Sequence, residues 1–188
     1  MSTDAAAVPK PERLFIGVPL TDQARREIEL ALPNNLPGKK VPPQNWHFTL
    51  RFLGATMPEA REDIVARLKA ATCGKSFTVR FNELGAFPHP RRARILWLGV
   101  DEGAERMGQL AAIAEATARG AGFSAELKEY RPHLTLSRID PPESVKTLLV
   151  SKAKFGMHMP VTRVALYRSR LGGGPARYEE IEKFELSP

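Results

Sequence analysis

The stretch YRPHLTLSRI, residues 130–139, contains a four-residue pattern that the chain carries twice. The other copy lies in WHFTLRFLG, residues 46–54, where His-Phe-Thr-Leu corresponds to His-Leu-Thr-Leu. Both copies alternate polar and apolar residues with the period of two that is typical of a β-strand with one buried face. The chain has four histidines, and two of them occupy the same place in this pattern. Two equivalent strands are therefore predicted, each presenting an imidazole and a hydroxyl.

The alternation assigns each side chain of the two strands to a face. In the first copy the polar face is predicted to hold His47, Thr49 and Arg51. The opposite, apolar face of that strand, which should face the core, holds Phe48, Leu50 and Phe52. In the second copy the polar face holds His133, Thr135 and Ser137, with Leu134 and Leu136 behind it. If the two strands meet, their polar faces form one site.

The segments around these strands follow the same order in both halves of the chain. The first half has predicted strands at 13–20, 46–54 and 76–84 and predicted helices at 23–32 and 57–72. The second half has predicted strands at 94–100, 130–139 and 161–171, a helix at 103–120 and a short helix ending at Val150, and a last strand follows at 176–186. The order β-α-β-α-β in each half predicts an α+β fold with two pseudo-symmetric lobes, whose antiparallel sheets face a central cleft. We assign 1–12 to a mobile N-terminal tail and 13–188 to a single bilobal domain, with repeats at about 13–90 and 91–188.

Cap and break signals mark the ends of several elements. They are Thr21 or Asp22 before the first helix, Gly54 after the second strand and Gly120 at the end of the third helix. Asp140, followed by Pro141 and completed by Glu143, has the pattern of a helix start.

The composition limits the classes of protein to consider. Hydrophobic residues make up 43% and charged residues 26% of the 188, as in ordinary folded proteins, and no apolar run approaches the roughly 20 residues that span a bilayer. The N-terminus lacks the basic start and hydrophobic stretch of a signal peptide, and the single cysteine, Cys73, can form no internal disulfide. We therefore expect a cytoplasmic protein. The net charge of +7 fits a polyanion such as nucleic acid, although proteins that bind none can be equally basic.

Two histidines and two threonines in one cleft suit a particular kind of chemistry. An imidazole has a pKa of about 6.5, so near neutral pH one ring can accept a proton while the other donates one. Threonine hydroxyls can donate hydrogen bonds to the non-bridging oxygens of a phosphate. Such a site could cut a phosphodiester without a metal ion. A zinc site would need more ligands at suitable spacing, and the sequence contains neither a P-loop glycine pattern nor a Gly-x-Ser-x-Gly elbow.

Five stretches together resemble the RNA 2′,3′-cyclic phosphodiesterase family of the two-histidine phosphoesterases, historically called 2′-5′ RNA ligase. They are RLFIGVPL (13–20), NWHFTLRFLG (45–54), ARILWLGV (93–100), YRPHLTLSRI (130–139) and LYRSRLGGGPARYEEIEKFEL (166–186). The resemblance implies hydrolysis of a terminal 2′,3′-cyclic phosphate on RNA to a 2′-phosphate, with no metal or other cofactor. It also implies that His47 is the general acid and His133 the general base, and that Thr49 and Thr135 hold the phosphate. The expected partner is RNA with a cyclic phosphate end or a nucleotide, and the expected state is a monomer with no obligate protein partner and no membrane.

Other residues near the motifs are candidates for substrate binding. Arg131 shares the face of His133 if the strand already runs there, and we predict a phosphate contact for it. Phe87 and Tyr130 could contact the nucleobase, although packing in the core suits Tyr130 equally well. A cluster of three cations could guide an RNA backbone or simply be solvated: Arg91, Arg92 and Arg94.

Two other interpretations of the same site stay open. One keeps the chemistry but changes the substrate, to a cyclic nucleotide or to a 2′-5′ RNA linkage that is ligated in reverse. The other is a non-catalytic RNA- or nucleotide-binding module. The presence of both imidazoles and both threonines favours an enzyme, because binding alone does not need a matched acid and base.

Overall fold

The structure is a computed structural model that describes residues 10–150, 155–172 and 174–188. Its strands are β1 (Glu12–Pro19), β2 (Lys39–Lys40), β3 (His47–Thr56), β4 (Phe77–Phe87), β5 (Ala93–Val100), β6 (His133–Glu143), β7 (His158–Val161), β8 (Arg163–Gly172) and β9 (Gly174–Glu185). Its helices are α1 (Asp22–Ala31), α2 (Pro58–Ala70), α3 (Ala104–Gly120) and α4 (Lys146–Val150), with 3-10 turns at Pro43–Asn45 and Pro90–Arg92. Residues 1–9 of the predicted tail lie outside the described residues, and β1 already begins at Glu12.

The strands form one nine-stranded sheet in the order β7-β4-β5-β6-β3-β1-β8-β9, with β2 added to β6. Every pair of these strands is antiparallel. The two motif strands, β3 and β6, lie side by side at the centre, and three further strands follow each of them outward. The half β3-β1-β8-β9 thus corresponds to the half β6-β5-β4-β7, which confirms the predicted α+β fold with pseudo-symmetric antiparallel halves. The short strand β7 is absent from the predicted elements.

The two halves of the sheet are not continuous segments of the chain. Strand β4 lies before the division predicted at about residue 90, but it pairs with β5 of the second half. Strands β8 and β9 come last in the chain, but β8 pairs with β1 and β9 with β8 in the first half. Each half therefore contains strands from both parts of the sequence, and the boundaries of the sequence repeats stay a prediction.

Helices cover one face of the sheet and leave the histidine face to the cleft. Phe48 and Leu134, which follow the two histidines, are fully buried in the main hydrophobic core. The helical side chains that share this core include Ile64 and Leu68 of α2 and Met107 and Leu110 of α3. Because neighbouring side chains of a strand point to opposite faces, His47 and His133 point away from these helices.

A β-bulge interrupts the alternation of β3 directly after its motif. Thr49 pairs with Gly17 of β1, whereas Arg51 pairs with the adjacent β1 residue, Ile16. Leu50 is therefore the extra residue of the bulge. Since paired residues share a face, the side chains that follow Leu50 change sides relative to a regular strand.

This bulge overturns two of the predicted positions. Arg51 turns to the helix face, where its Nε donates to the carboxylate of Glu115 on α3 at 2.5 Å. Phe52 pairs with Phe15 and is 55% exposed instead of buried. The predictions that Arg51 shares the face of His47 and that Phe52 faces the core are therefore wrong.

The same bulge recurs at the equivalent place in β6. Thr135 pairs with Trp97 of β5 and Ser137 pairs with the adjacent residue, Leu96, so Leu136 is the extra residue. Ser137 shares the core side with Leu96 and is fully buried. The prediction that Ser137 shares the face of the histidine is wrong for the same reason as for the first copy.

The predicted start of α1 and the predicted end of α3 at Gly120 are both confirmed. The hydroxyl of Thr21 accepts a hydrogen bond from the amide of Ala24 at 3.1 Å and caps α1. The left-handed residue that terminates α3 is Gly122, with φ of +89°, two residues beyond Gly120. Glycine adopts this conformation without a steric penalty, so the chain can turn away from the helix axis at Gly122.

Two predicted boundaries inside strands are wrong. Strand β3 does not end at Gly54 but runs on to Thr56. The segment from Asp140 does not begin a helix, because β6 continues to Glu143, which pairs with Ala93 of β5. Helix α4 begins only at Lys146. Pairing across the sheet keeps both segments extended against their local signals.

Candidate active site

The register between β3 and β6 brings the two motifs together. Phe48 pairs directly with Leu134 in an antiparallel arrangement. One step to either side, this register aligns two mixed pairs on the cleft face: His47 with Thr135, and Thr49 with His133. Each histidine has the threonine of the other motif as its cross-strand neighbour. The four side chains predicted to be catalytic therefore gather at the centre of the sheet.

Both imidazoles are held by the same kind of hydrogen bond. Nδ1 of His47 lies 2.7 Å from the carbonyl oxygen of Asn45, and Nδ1 of His133 lies 2.7 Å from that of Arg131. A carbonyl oxygen only accepts, so Nδ1 carries the hydrogen in both rings and Nε2 keeps a lone pair when the ring is neutral. Nε2 of His47 lies 3.0 Å from Oγ1 of Thr49, whose hydroxyl can donate to it.

Three aromatic rings surround His47, and none of them was singled out from the sequence. The ring centroids of Phe15, Tyr178 and Tyr167 lie 4.6, 5.0 and 5.7 Å from that of the imidazole, with Tyr178 edge-on. The hydroxyl of Tyr167 donates to the carboxylate of Glu180 at 3.4 Å. These rings keep water from much of the imidazole surface.

Phe87 and Trp97 lie beside His133. The ring of Phe87 is 5.1 Å from the imidazole and perpendicular to it, and the ring of Trp97 is 6.2 Å away. Phe87 occupies the place in the second half that Tyr167 occupies in the first, since each lies on the strand two positions outward from its motif strand. The structure thus puts Phe87 next to the predicted catalytic histidine.

The pKa values of both imidazoles are lowered. Desolvation by burial is the main cause for His47, and the charges of Arg138 and His133 add to it, so its pKa falls to about 4 despite the hydrogen bond to Asn45. Desolvation also lowers the pKa of His133, and its hydrogen bond to the carbonyl of Arg131 opposes the shift. Both rings are therefore neutral near pH 7 in the ligand-free site, and each offers an Nε2 lone pair.

Arg138 lies on the cleft face, although a regular alternation along β6 predicts the opposite face. It pairs with Ile95 of β5, so the bulge at Leu136 returns it to the face that carries Trp97 and Thr135. Its charge is felt at His47. A regular alternation from the motif would instead put residue 138 on the core side.

Arg131 and Tyr130 precede β6 and lie outside the strand. The side chain of Arg131 is exposed, and its Nη2 lies 3.7 Å from the carboxylate of Glu129, so only its carbonyl contacts His133. The condition that the strand already runs at Arg131 is not met. Tyr130 packs against the main hydrophobic core, and burial raises the pKa of its hydroxyl.

The remaining histidines lie apart from the motifs. Nε2 of His158 is 3.4 Å from the carboxylate of Glu102, and Nδ1 of His89 accepts from the amide of Arg91 at 3.1 Å. Among the residues that the structure describes, no three His, Cys, Asp or Glu side chains form a group that could hold a metal ion. Over the same residues, no helix combines the length and the apolar character needed to cross a membrane.

The sequence does not reveal the three aromatic residues around His47 because it does not assign their side chains to a face of the sheet. Phe15 lies in RLFIGVPL, which is apolar on both faces, so periodicity cannot choose the side that faces the cleft. Tyr167 and Tyr178 lie on strands that reach the first motif only because β8 and β9 return to β1. A sequence signal for their position exists in the resemblance of the C-terminal stretch, but it assigns no face to either tyrosine.

Comparison with known proteins agrees with this geometry. Residues 22–173 match the family model described as the 2′-5′ RNA ligase superfamily. A relative from Aquifex aeolicus, named RNA 2′,3′-cyclic phosphodiesterase, is 33% identical over 174 residues that cover 89% of each chain. A relative of the same name from Archaeoglobus fulgidus is 32% identical over 180 residues, which cover 92% of this chain and 99% of the relative.

Solved structures show the same fold. The crystal structure of E. coli LigT in its apo form has a TM-score of 0.80 and 25% identity, with 95% of this chain and 99% of that chain covered. The crystal structure of E. coli LigT complexed with 3′-AMP has the same TM-score, identity and coverage. The matched family model spans most of the sequence, and the chain belongs to the 2′-5′ RNA ligase superfamily.

Proposed function

We propose that this chain is a metal-independent RNA 2′,3′-cyclic phosphodiesterase that opens a terminal cyclic phosphate to a 2′-phosphomonoester. The strongest support is that the imidazoles of His47 and His133 are held by the same kind of hydrogen bond. In both rings Nδ1–H is bound to a backbone carbonyl, which leaves Nε2 for proton transfer. Relatives named for this activity match the chain over about nine tenths of its length.

The proposed reaction uses the two imidazoles in sequence. Nε2 of His133 accepts a proton from a water molecule, whose oxygen attacks the phosphorus of the cyclic phosphate. The bond between phosphorus and the 3′ oxygen breaks, and Nε2 of His47 donates a proton to that oxygen. The product carries a 2′-phosphate and a 3′-hydroxyl, and exchange with solvent restores both imidazoles. The hydroxyls of Thr49 and Thr135 donate to the non-bridging oxygens, where negative charge accumulates.

The donor role requires His47 to be protonated when substrate is bound. Its pKa of about 4 in the ligand-free protein keeps it neutral near pH 7. A phosphodiester anion in the cleft would raise this pKa, because a nearby opposite charge favours the imidazolium. The assignment of His47 as acid and His133 as base rests on the family resemblance, since the two hydrogen-bond arrangements are alike.

The remaining predicted contacts are supported to different degrees. Phe87 lies against His133, which supports a contact with the terminal nucleoside. A phosphate contact by Arg131 requires its guanidinium to leave Glu129. The core position of Tyr130 supports packing instead of a contact with the nucleobase.

The experiment is an assay of the His47→Ala and His133→Ala variants on an oligonucleotide ending in a 2′,3′-cyclic phosphate, with chelator present. We expect each variant to lose at least about 10²-fold in kcat, the lower range of an acid or base contribution. The control is His89→Ala, which removes an exposed histidine outside the motifs. Full activity in either motif variant would refute the two-histidine mechanism, and loss of activity of the unaltered protein on chelation would refute metal independence.

The same assay separates the alternatives. A binding module would form no product with the intact protein and would still bind the oligonucleotide after both histidines are replaced. A cyclic-nucleotide phosphodiesterase would turn over a cyclic mononucleotide faster than the oligonucleotide. A ligase would join the cyclic-phosphate end of the oligonucleotide to an RNA with a 5′-hydroxyl. We also propose a cytoplasmic monomer, which cell fractionation and sedimentation would check.

A further inference from the structure

The two carbonyl groups that hold the imidazoles are themselves supported in different ways. Asn45, whose carbonyl binds His47, ends a 3-10 turn in which its own amide donates to the carbonyl of Pro42 at 2.8 Å. Its side-chain amide also donates to the carbonyl of Ala176 on β9 at 2.6 Å. The carbonyl that binds His47 therefore belongs to a hydrogen-bonded turn that is fixed to the sheet.

The carbonyl of Arg131, which holds His133, lies in a segment without such a turn. From the end of α3 the chain runs to β6 without a helix or a strand, and residues 124–129 are all exposed. Over the described part of the chain, no backbone–backbone hydrogen bond involves residues 124–131. An exposed segment of this kind opens at little cost in free energy unless side chains hold it in place.

Arg51 and Glu115 hold the start of this segment by side-chain hydrogen bonds. The guanidinium of Arg51 donates through Nη2 to the carbonyl of Ser124 and through Nε to the carboxylate of Glu115 at 2.5 Å. The other oxygen of that carboxylate accepts from the amide of Glu126 at 3.1 Å. Nη1 of Arg51 donates to the carbonyl of Phe52, so the same guanidinium is tied to β3. Residues 124–126 are thereby joined to the strand that carries the first motif.

A contact of a different kind holds the far end of the segment. The ring of Tyr130 packs against the main hydrophobic core, and Pro132 favours an extended backbone at Arg131. An apolar contact is non-directional, so Tyr130 alone does not fix the rotation of the peptide group that follows it. The charge-assisted bonds of Arg51, whose side chain is 11% exposed, are directional and restrict that rotation from the other end. The direction of the Arg131 carbonyl therefore depends on both contacts.

We propose that Arg51 is a positioning residue of the reaction, which acts through residues 124–131 to keep the hydrogen of neutral His133 on Nδ1. The proposal rests on the function proposed above, in which Nε2 of His133 accepts a proton. If the carbonyl of Arg131 moves away, the hydrogen can occupy Nε2 instead, and Nε2 then has no lone pair for a water molecule. Arg51 thus lies on the strand of one histidine and acts on the other.

The test measures the tautomer of each imidazole by nitrogen-15 NMR, at a pH where both rings are neutral. Arg51→Met removes the hydrogen bonds of the guanidinium and keeps most of the side-chain length. We expect it to move part of the His133 population to the Nε2–H form and to leave His47 in the Nδ1–H form. On an oligonucleotide with a 2′,3′-cyclic phosphate end, kcat should fall in proportion to the Nδ1–H form that is lost, by at least about twofold, with KM unchanged.

A second variant and a matched control complete the test. Glu115→Gln weakens the same contacts without changing the size of the side chain, and it should shift His133 in the same direction by a smaller amount. The control is Arg80→Met, which removes another strand arginine that pairs with a carboxylate, that of Asp101 outside the segment. We expect Arg80→Met to leave both tautomers and kcat unchanged.

Several results would overturn the proposal. They are an Nδ1–H form of His133 that persists in both Arg51→Met and Glu115→Gln, an equal shift of His47, and a shift of His133 without a fall in kcat. Absence of turnover by the unaltered protein would instead overturn the proposed function. The tautomer measurement needs no substrate and would still decide whether Arg51 positions His133, so the two failures are distinguishable.

Discussion

Phe48 and Leu134 form the cross-strand pair at which the two halves of the sheet meet, and each of them stands between a histidine and a threonine of its own motif. Both side chains are fully buried on the helix face. The cleft face of the same four-residue segments carries the candidate catalytic groups. The packing of two apolar side chains therefore sets the distance between the imidazoles of His47 and His133.

This relationship predicts that Leu134→Ala weakens both stability and activity. Loss of a fully buried leucine should lower the free energy of unfolding by about 2–5 kcal/mol, and the altered spacing of the motifs should lower kcat in the molecules that remain folded. Urea denaturation and assays at a temperature below the transition separate the two effects. Leu127→Ala, which removes a side chain that is 93% exposed, should leave both quantities almost unchanged. An unaltered kcat in folded Leu134→Ala would contradict the link between the pair and the site.

The lowered pKa of His47 predicts a pH-dependent stability. Between the unfolded value of about 6.5 and the folded value of about 4, the unfolded chain binds more protons, so stability should fall as the pH decreases through this window. From pH 7 to pH 5, His47 alone should account for a loss of about 2 kcal/mol at most. Urea denaturation of the unaltered protein and of His47→Gln at both pH values would measure it. A pH slope in His47→Gln equal to that of the unaltered protein would show that His47 does not titrate as stated.

The position of Arg138 on the cleft face predicts a change at His47. Removing its charge with Arg138→Gln should raise the pKa of His47, because the guanidinium disfavours the imidazolium. An NMR titration of the imidazole protons follows this pKa directly. Arg94→Gln is the comparison, since Arg94 is exposed on the neighbouring strand β5 and pairs with Asp140. If Arg138→Gln leaves the pKa of His47 where it was, the side chain of Arg138 does not face the cleft.

The position of Trp97 predicts that adding a methyl group at Gly85 destabilises the fold. A Cβ atom at Gly85 would overlap the indole ring of Trp97, which lies beside His133. Gly85→Ala should therefore lower the free energy of unfolding by about 1–3 kcal/mol and change the fluorescence of the displaced indole. Gly108→Ala, in helix α3 with open space around it, should instead be neutral or stabilise by up to about 1 kcal/mol. In the Trp97→Ala background Gly85→Ala should cost less than in the unaltered protein, and an equal cost would mean that the indole is not the obstacle.

Much of the architecture was accessible from periodicity and from the repeated motif. The strands and long helices appear close to their predicted places, and the alternation around Phe48 and Leu134 chose the buried face correctly. These features depend on local sequence, because one buried face imposes a period of two on a strand. The meeting of the motifs followed from the pseudo-symmetry, which the pairing of β3 with β6 realises.

The two bulges could not be predicted from periodicity or from the repeated motif. A bulge arises from how two strands pair, and at Leu50 and Leu136 the sequence continues without a glycine or proline that would mark it. Each bulge reverses the faces of the residues that follow. A regular alternation therefore predicts Arg51 on the cleft face and Arg138 on the core face. In the structure Arg51 lies on the helix face and Arg138 on the cleft face.

The return of β8 and β9 to β1 has a consequence for synthesis on the ribosome. His47 is translated before Tyr167 and Tyr178, which enclose its imidazole and lie in β8 and β9. The first half of the sheet cannot be completed until β8 and β9 have left the ribosome. A product truncated before Arg163 would carry both motifs but lack two of the three aromatic rings around His47, so water would reach more of its imidazole.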